Sequence, residues 1–136
     1  MHQTTHHQTH QGGFSLIELL VTIGIIGLLA AIAIPSYREH VRRGYVEEAT
    51  GVLGSGRVAV EQYFLDNRTY VNVPCPASTS RFAITCAATA TTYTITATGS
   101  GGAAGFVYTV NQADLRTTAG PWGAANCWLV QKGGSC

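Results

Sequence analysis

The chain is predicted to be α+β, with one long kinked amino-terminal helix lying on an antiparallel sheet of about four strands. Three observations predict it. From Phe14 to Ile34 the residues are Phe, Leu, Ile, Val, Ala and Gly, interrupted only by Ser15, Glu18 and Thr22. Val46, Ala49, Leu53, Gly56, Val60 and then Tyr63 or Phe64 recur at alternating spacings of three and four, which puts them on one helical face. The remainder consists of short segments rich in Thr, Tyr, Val, Ile and Trp, separated by turn-forming stretches. A helix followed by a run of strands is the α+β order.

The first element is the apolar run. Its length matches the roughly twenty residues that an α-helix needs to cross the hydrocarbon core of a bilayer. Glu18 is its single charge, and burying such a side chain in hydrocarbon costs roughly 2.5–3.5 kcal/mol unless it is partnered. A secretory signal peptide places Lys or Arg before a shorter apolar run and small residues after it, whereas here a Gly pair precedes the run. Residues 1–13 hold His2, His6, His7 and His10 and no Lys or Arg, so the charge signal that orients membrane segments is weak. Three readings of this tract stay open: partial histidine protonation, a true start elsewhere, and, ranked last, metal binding. No metal or cofactor is assigned.

The junction Gly12-Gly13-Phe14-Ser15-Leu16-Ile17-Glu18 resembles the processing site of type IV prepilins. The resemblance implies a leader at 1–13, a transmembrane and assembly helix at 14–34, and a periplasmic or extracellular globular domain at 35–136 that includes the amphipathic half of the helix. It further implies cleavage between Gly13 and Phe14 by prepilin peptidase and N-methylation of Phe14. Glu18 would then be the assembly residue, neutralising the Phe14 amine of a neighbouring subunit, although an intramolecular pair one turn apart and snorkelling to headgroups remain alternatives. Ser15 stands where threonine is commoner in the family.

Pro35 lacks an amide hydrogen and clashes with the preceding turn, so inside a continuing helix it marks a kink, where type IV pilins also carry proline. Gly51, Gly54 and Gly56 each weaken the helix by about 1 kcal/mol relative to Ala, which calls for tight packing or local flexibility. A helix from Phe14 to about Asp66 is roughly 80 Å long. Strands are expected at Phe82–Cys86, Thr92–Thr98, Phe106–Asn111 and Cys127–Gln131. In the second, Tyr93, Ile95 and Ala97 face the helix and the threonines face solvent. The tract from Gly99 to Gly105 reads as a flexible hairpin connection, without the lysine and following helix of a phosphate-binding loop.

The segment Tyr93-Thr94-Ile95-Thr96-Ala97, with Phe106 to Gln112, Thr117, Thr118 and Cys127-Trp128, is similar to the C-terminal half of PilE-like minor pilins. Type II secretion pseudopilins share only the amino-terminal motif. The resemblance implies the type IV pilin fold and a single-pass inner-membrane precursor that moves into a helical filament of major and minor pilins at the cell surface. Adhesion, twitching motility and DNA uptake are the functions it brings, and a DNA-binding competence pilin and a secretion pseudopilin are the alternatives.

Removing residues 1–13 from 136 leaves 123, enough for one compact domain behind the helix. After Ile34 there are eight basic and six acidic residues, a formal charge of +2, so no strong attraction to polyanions is expected from net charge. Cys75, Cys86, Cys127 and Cys136 follow the apolar segment, have no metal-ligand spacing and permit three pairings. Pairing sequence neighbours, Cys75 with Cys86 and Cys127 with Cys136, is the economical choice and staples the C-terminal region.

Catalysis is not expected. His40 is the one histidine after the leader and sits among Arg38, Glu39, Arg42 and Arg43 without a nucleophile. Glu47, Glu48, Glu61 and Asp66 read as a solvated helix face. Asn67-Arg68-Thr69 matches a glycosylation sequon, which chance explains. Arg38, Arg42 and Arg43 lie just past the apolar run, placed for lipid headgroups or acidic neighbours. Arg57, Arg68, Arg81, Arg116 and Lys132 can form a DNA-binding stripe only through the fold, with Arg116 and Lys132 as the named candidate contacts and Tyr108, Trp122 and Trp128 as candidate flanking aromatics, of which Tyr108 and Trp128 are expected in the core instead.

Overall fold

A computed structural model describes residues 12–136. The expectations for the histidines of the leader fall outside the described residues. The chain divides into two units, one ending at Ser36 and one spanning Tyr37–Cys136. One helix, α1 (Leu16–Asn67), contains Pro35 and ends one residue beyond the expected Asp66.

In the first unit, α1 starts where Ser15 caps it: the Glu18 amide donates to Ser15 Oγ at 3.2 Å. That satisfies one of the amides that a helix start leaves without an intrahelical acceptor. Leu16, Ile17, Leu19, Leu20, Val21, Ile23, Ile25, Ile26, Leu28, Leu29, Ile32 and Ile34 are all exposed. A helix that is apolar on every side belongs in lipid or among other helices.

In the second unit, α1 buries Val46, Ala49, Leu53, Gly56 and Val60, the face expected from the spacing. Val46, Ala49, Leu53 and Val60 join Phe82, Ile84, Tyr93, Ile95, Ala97, Phe106, Tyr108 and Val110 in one core. Gly56 shows why a side chain is missing there, because a Cβ would collide with the Pro76 ring. Gly51 and Gly54 have open space, so tight packing accounts for one of the three helix glycines.

The sheet consists of β1 (Phe82–Ala88), β2 (Tyr93–Gly99), β3 (Val107–Asn111) and β4 (Arg116–Ala119), antiparallel in that order. Tyr93, Ile95 and Ala97 are buried, as the alternation predicts. On the opposite face the register sets Thr85, Thr96, Thr109 and Thr117 side by side across all four strands.

Two expectations are corrected. The fourth strand is Arg116–Ala119, not Cys127–Gln131. Asn111 makes this return tight, since its side-chain oxygen accepts the amides of Ala113 and Leu115, each at 3.0 Å, while Asp114 adopts a positive φ of 55°. The Cys127–Gln131 segment is held by side chains instead of a ladder. Buried Thr118 donates its hydroxyl to the Cys127 carbonyl at 2.6 Å and accepts the Leu129 amide at 2.9 Å, and the Tyr108 hydroxyl donates to the Leu129 carbonyl at 2.8 Å.

The Gly99–Gly105 tract is likewise not slack. It forms a 3₁₀ turn at Gly101–Ala103 with Ala103 fully buried, and Gly99 donates to the Phe106 carbonyl at 2.8 Å. Gly99 is required because a Cβ would collide with the Ala103 carbonyl. Both expected disulfides are present, Cys75–Cys86 and Cys127–Cys136. The first ties the segment after α1 to β1, and the second closes the C-terminal loop. Each contributes a few kcal/mol, on the order of 3, by restricting the unfolded chain.

Glu61 is a third correction. It is half-buried, and its two carboxylate oxygens accept the Tyr70 hydroxyl at 3.0 Å and the Tyr93 hydroxyl at 2.9 Å. Beside it Tyr70 stacks on Phe64 and meets Tyr93 edge to face, with centroids 4.5 and 4.8 Å apart. One acid of α1 therefore holds the following loop and β2 together, and its periodic position gave no sign of this.

Burial, then the Glu61 hydrogen bond and charge, raise the Tyr93 hydroxyl well above its ordinary value, and burial alone does the same for Tyr108. A raised folded-state pKa means that the stabilisation is complete below the unfolded value of 10.0 and declines as pH rises above it. Stability is therefore expected to fall above about pH 10. Tyr93→Phe should lose about 2 kcal/mol at neutral pH, the worth of a hydrogen bond to a charged group, and show a shallower alkaline decline. Denaturant titrations of both proteins across pH check this.

Candidate functional site

Two regions carry the functional candidates. The first is the amino-terminal turn of α1. Gly12 and Gly13 precede the helix without regular structure, and Phe14 is 87% exposed, so the junction is accessible from outside. Glu18 lies in the first helical turn, where the unpaired amides and the helix dipole favour a negative charge. Its carbonyl accepts the Thr22 hydroxyl at 2.7 Å, which also satisfies the third polar side chain of the apolar run within the helix. Ser15, in the position where threonine is commoner, does the capping that any hydroxyl residue would do.

The second region lies beside β4. Asp114 receives two hydrogen bonds from Arg116, Nε to Oδ1 at 3.0 Å and Nη2 to Oδ2 at 3.2 Å, and Arg57 approaches Oδ1 at 3.5 Å. The Arg116 hydrogen bonds hold the Asp114 carboxyl below its usual range. The Arg116 guanidinium also stands over the Trp128 ring, 4.5 Å from its centroid, and Trp128 donates its indole N–H to the Thr109 carbonyl at 2.9 Å. Arg57, Asp114, Arg116 and Trp128 thus form a connected group drawn from α1, the β3–β4 turn, β4 and the C-terminal segment. Its signal in the sequence is weak, because the positions are far apart and meet only through the sheet.

Lys132 is exposed within the loop closed by Cys127–Cys136, four residues after Trp128. The same short segment therefore carries Lys132 and the ring that Arg116 covers. Arg68 is exposed at a positive φ of 58° just past α1. Arg81 covers the Tyr45 ring at 4.9 Å. Tyr108 is core, as expected, whereas Trp128 is half-buried under Arg116. Trp122 does not flank a cationic stripe: it is buried against Phe106 and donates its indole N–H to Glu39 at 3.1 Å. Glu39 in turn accepts Arg42 at 3.0 Å, so one arginine of the 38–43 cluster is paired within its own chain. His40 is exposed on α1.

Comparison with known proteins identifies the family. A family model described as the prokaryotic N-terminal methylation motif matches residues 8–34. A second, described as type IV minor pilin ComP, DNA uptake sequence receptor, matches residues 35–106, just over half of the chain. Fimbrial protein EcpC of Eikenella corrodens is 48% identical over 56 residues, covering 41% of this chain and 37% of that protein. The type IV major pilin protein PilE1 of Neisseria gonorrhoeae is 40% identical over 76 residues, covering 52% of this chain and 46% of that protein. The chain thus spans less than half the length of these curated relatives. The crystal structure of the non-core minor pilin PilV of Neisseria meningitidis shares the fold, with a TM-score of 0.56 at 18% identity over 60% of this chain and 90% of that one. The chain belongs to the type IV pilins, in the family of the minor pilin ComP.

Proposed function

We propose that the chain is a minor subunit of a type IV pilus that binds DNA for uptake. The observation that carries this reading is the match of residues 35–106 to a family described as a DNA uptake sequence receptor. The precursor is anchored by residues 14–34 as a single span of the inner membrane, with residues 35–136 outside it. Prepilin peptidase cleaves after Gly13, Phe14 is N-methylated, and the helix, kinked at Pro35, moves from lipid into a bundle of major and minor pilin helices. Support comes from the matched methylation motif and from an apolar helix long enough to cross a membrane.

In this reading Glu18 selects the axial register. Left unpaired in a helical bundle, a carboxylate is costly, and the methylated amine of a neighbouring Phe14 relieves that cost. Glu18→Val should still insert and be cleaved, yet enter filaments poorly. Quantifying the variant in sheared filaments against total membrane protein checks this, and equal incorporation would remove the role.

DNA contact is assigned to Arg116 and Lys132. A guanidinium stacked on Trp128 and held by Asp114 is a fixed donor, and Lys132 is an exposed point charge on the adjoining loop. Such cations meet phosphates, and each phosphate neutralised adds about 0.9 to the slope of log K against log salt. Replacing both by Ala should weaken duplex binding and lower the slope by about 2, without reducing piliation. Binding isotherms at several salt concentrations test it, and an unchanged slope would move the DNA face elsewhere.

A further inference from the structure

Tyr37, Arg38, Val41, Arg42 and Tyr45 are spaced alternately by one and three residues and so share one face of α1. With Gly102 from the β2–β3 loop they line a pocket of about 330 Å³. That lies at the small end of the range for ligand pockets, on the order of 300–1,000 Å³. Gly102 lets the loop approach, because a Cβ there would stand 2.7 Å from the Tyr45 ring. Arg81, from just before β1, places its guanidinium over the same ring.

The lining is rich in donors and poor in acceptors. Arg38 has no carboxylate within ion-pair distance among the described residues, and neither has Arg81, which is not in the lining but stands over the ring of Tyr45 that is. Arg42 uses Nη1 on Glu39 and retains the other donors of its fork. The hydroxyls of Tyr37 and Tyr45 take part in no hydrogen bond among the described residues, unlike those of Tyr63, Tyr70, Tyr93 and Tyr108. Valine and glycine complete the lining and bring no carboxylate. A compact anion with several acceptor oxygens fits this chemistry, and arginine forks suit phosphate.

Position selects the source of that anion. Tyr37 follows Ile34, the last residue of the apolar run, by three residues, which span at most about 10 Å of chain. Paired tyrosines and arginines at that distance from a membrane span meet the headgroup layer. We propose that this pocket binds the phosphate headgroup of an anionic phospholipid while the subunit is in the membrane, a site that must be vacated when the subunit is extracted. This rests on the membrane-anchored precursor proposed above.

The test is native mass spectrometry of the full chain released from nanodiscs of phosphatidylcholine with or without phosphatidylglycerol. The native chain should leave the mixed discs carrying one phosphatidylglycerol. Arg38→Ala with Arg81→Ala should reduce that adduct roughly tenfold, while Arg43→Ala, which removes a neighbouring exposed arginine outside the lining, should leave it nearly unchanged. Arg38→Ala alone, at an exposed helix position, reads the same effect should the double variant fail to fold.

Equal loss on Arg43→Ala would reduce the effect to general surface charge and overturn the site, as would equal retention of phosphatidylcholine or an undiminished adduct in the double variant. Glycerol phosphate added to chain in phosphatidylcholine discs should not be retained. Its retention at the level of the lipid would assign the pocket to free phosphate. Displacement of the lipid by duplex DNA, with both lost in the double variant, would assign it to nucleic acid. A chain that does not enter the discs would overturn the membrane anchor itself, an outcome distinct from entry without a bound headgroup.

Discussion

The structure depends on one constraint: among the described residues, the large apolar side chains of Leu16–Ile34 are left exposed. Ile17, Leu28 and Ile32 are each about two-thirds exposed or more, and a continuous apolar surface of that extent marks a contact with membrane or protein. Under the proposed function, lipid covers it before assembly and other subunits cover it afterwards, so the same surface serves two solvents. In that proposal Glu18 makes the two unequal, because only the second offers an amine. The polar groups of Ser15 and Thr22 are absorbed within the helix, leaving the Glu18 carboxylate without a hydrogen-bond partner among the described residues.

The second unit must therefore hold itself together on a small core. Its solution is to join elements through polar atoms at their ends. Glu61 gathers Tyr70 and Tyr93, Thr118 holds both backbone groups of the C-terminal segment, and Glu39 takes Arg42 and Trp122. In each case one side chain meets two partners, which removes the cost of a half-satisfied buried group. The disulfides then close the two segments that lack ladder bonds, before β1 and after Trp128. This leaves Arg116 stacked on Trp128 and Lys132 in the loop that the second disulfide closes.

Much of this was legible in the sequence, and the limits have physical causes. Val46, Ala49, Leu53, Gly56 and Val60 announce their burial because helical periodicity is local, and Tyr93, Ile95 and Ala97 do so because strand alternation is. Cys127-Trp128-Leu129 has strand composition too, yet Thr118 already occupies its backbone groups, a relation set by an eleven-residue separation. Arg116-Thr117-Thr118-Ala119 lacks a strong strand signal and is recruited by the Asn111 turn. Glu61 and Trp122 were misread because their partners, Tyr93 and Glu39, lie 32 and 83 residues away. The stacking of Arg116 on Trp128 is of the same non-local kind, and so is the meeting of Tyr45 with Arg81 and Gly102. Gly12 to Glu18 was readable for the opposite reason, since its chemistry is contained in consecutive residues.

The central claim is that this chain is processed at its amino-terminal junction and passes from membrane to filament. Intact mass and amino-terminal sequence of the protein recovered from sheared surface filaments test it most directly. The account predicts a chain beginning at N-methylated Phe14 and about four hydrogens lighter than its reduced form, as two disulfides require. Recovery of a chain still carrying the residues before Phe14, or of a processed chain confined to the membrane and absent from filaments, would contradict it.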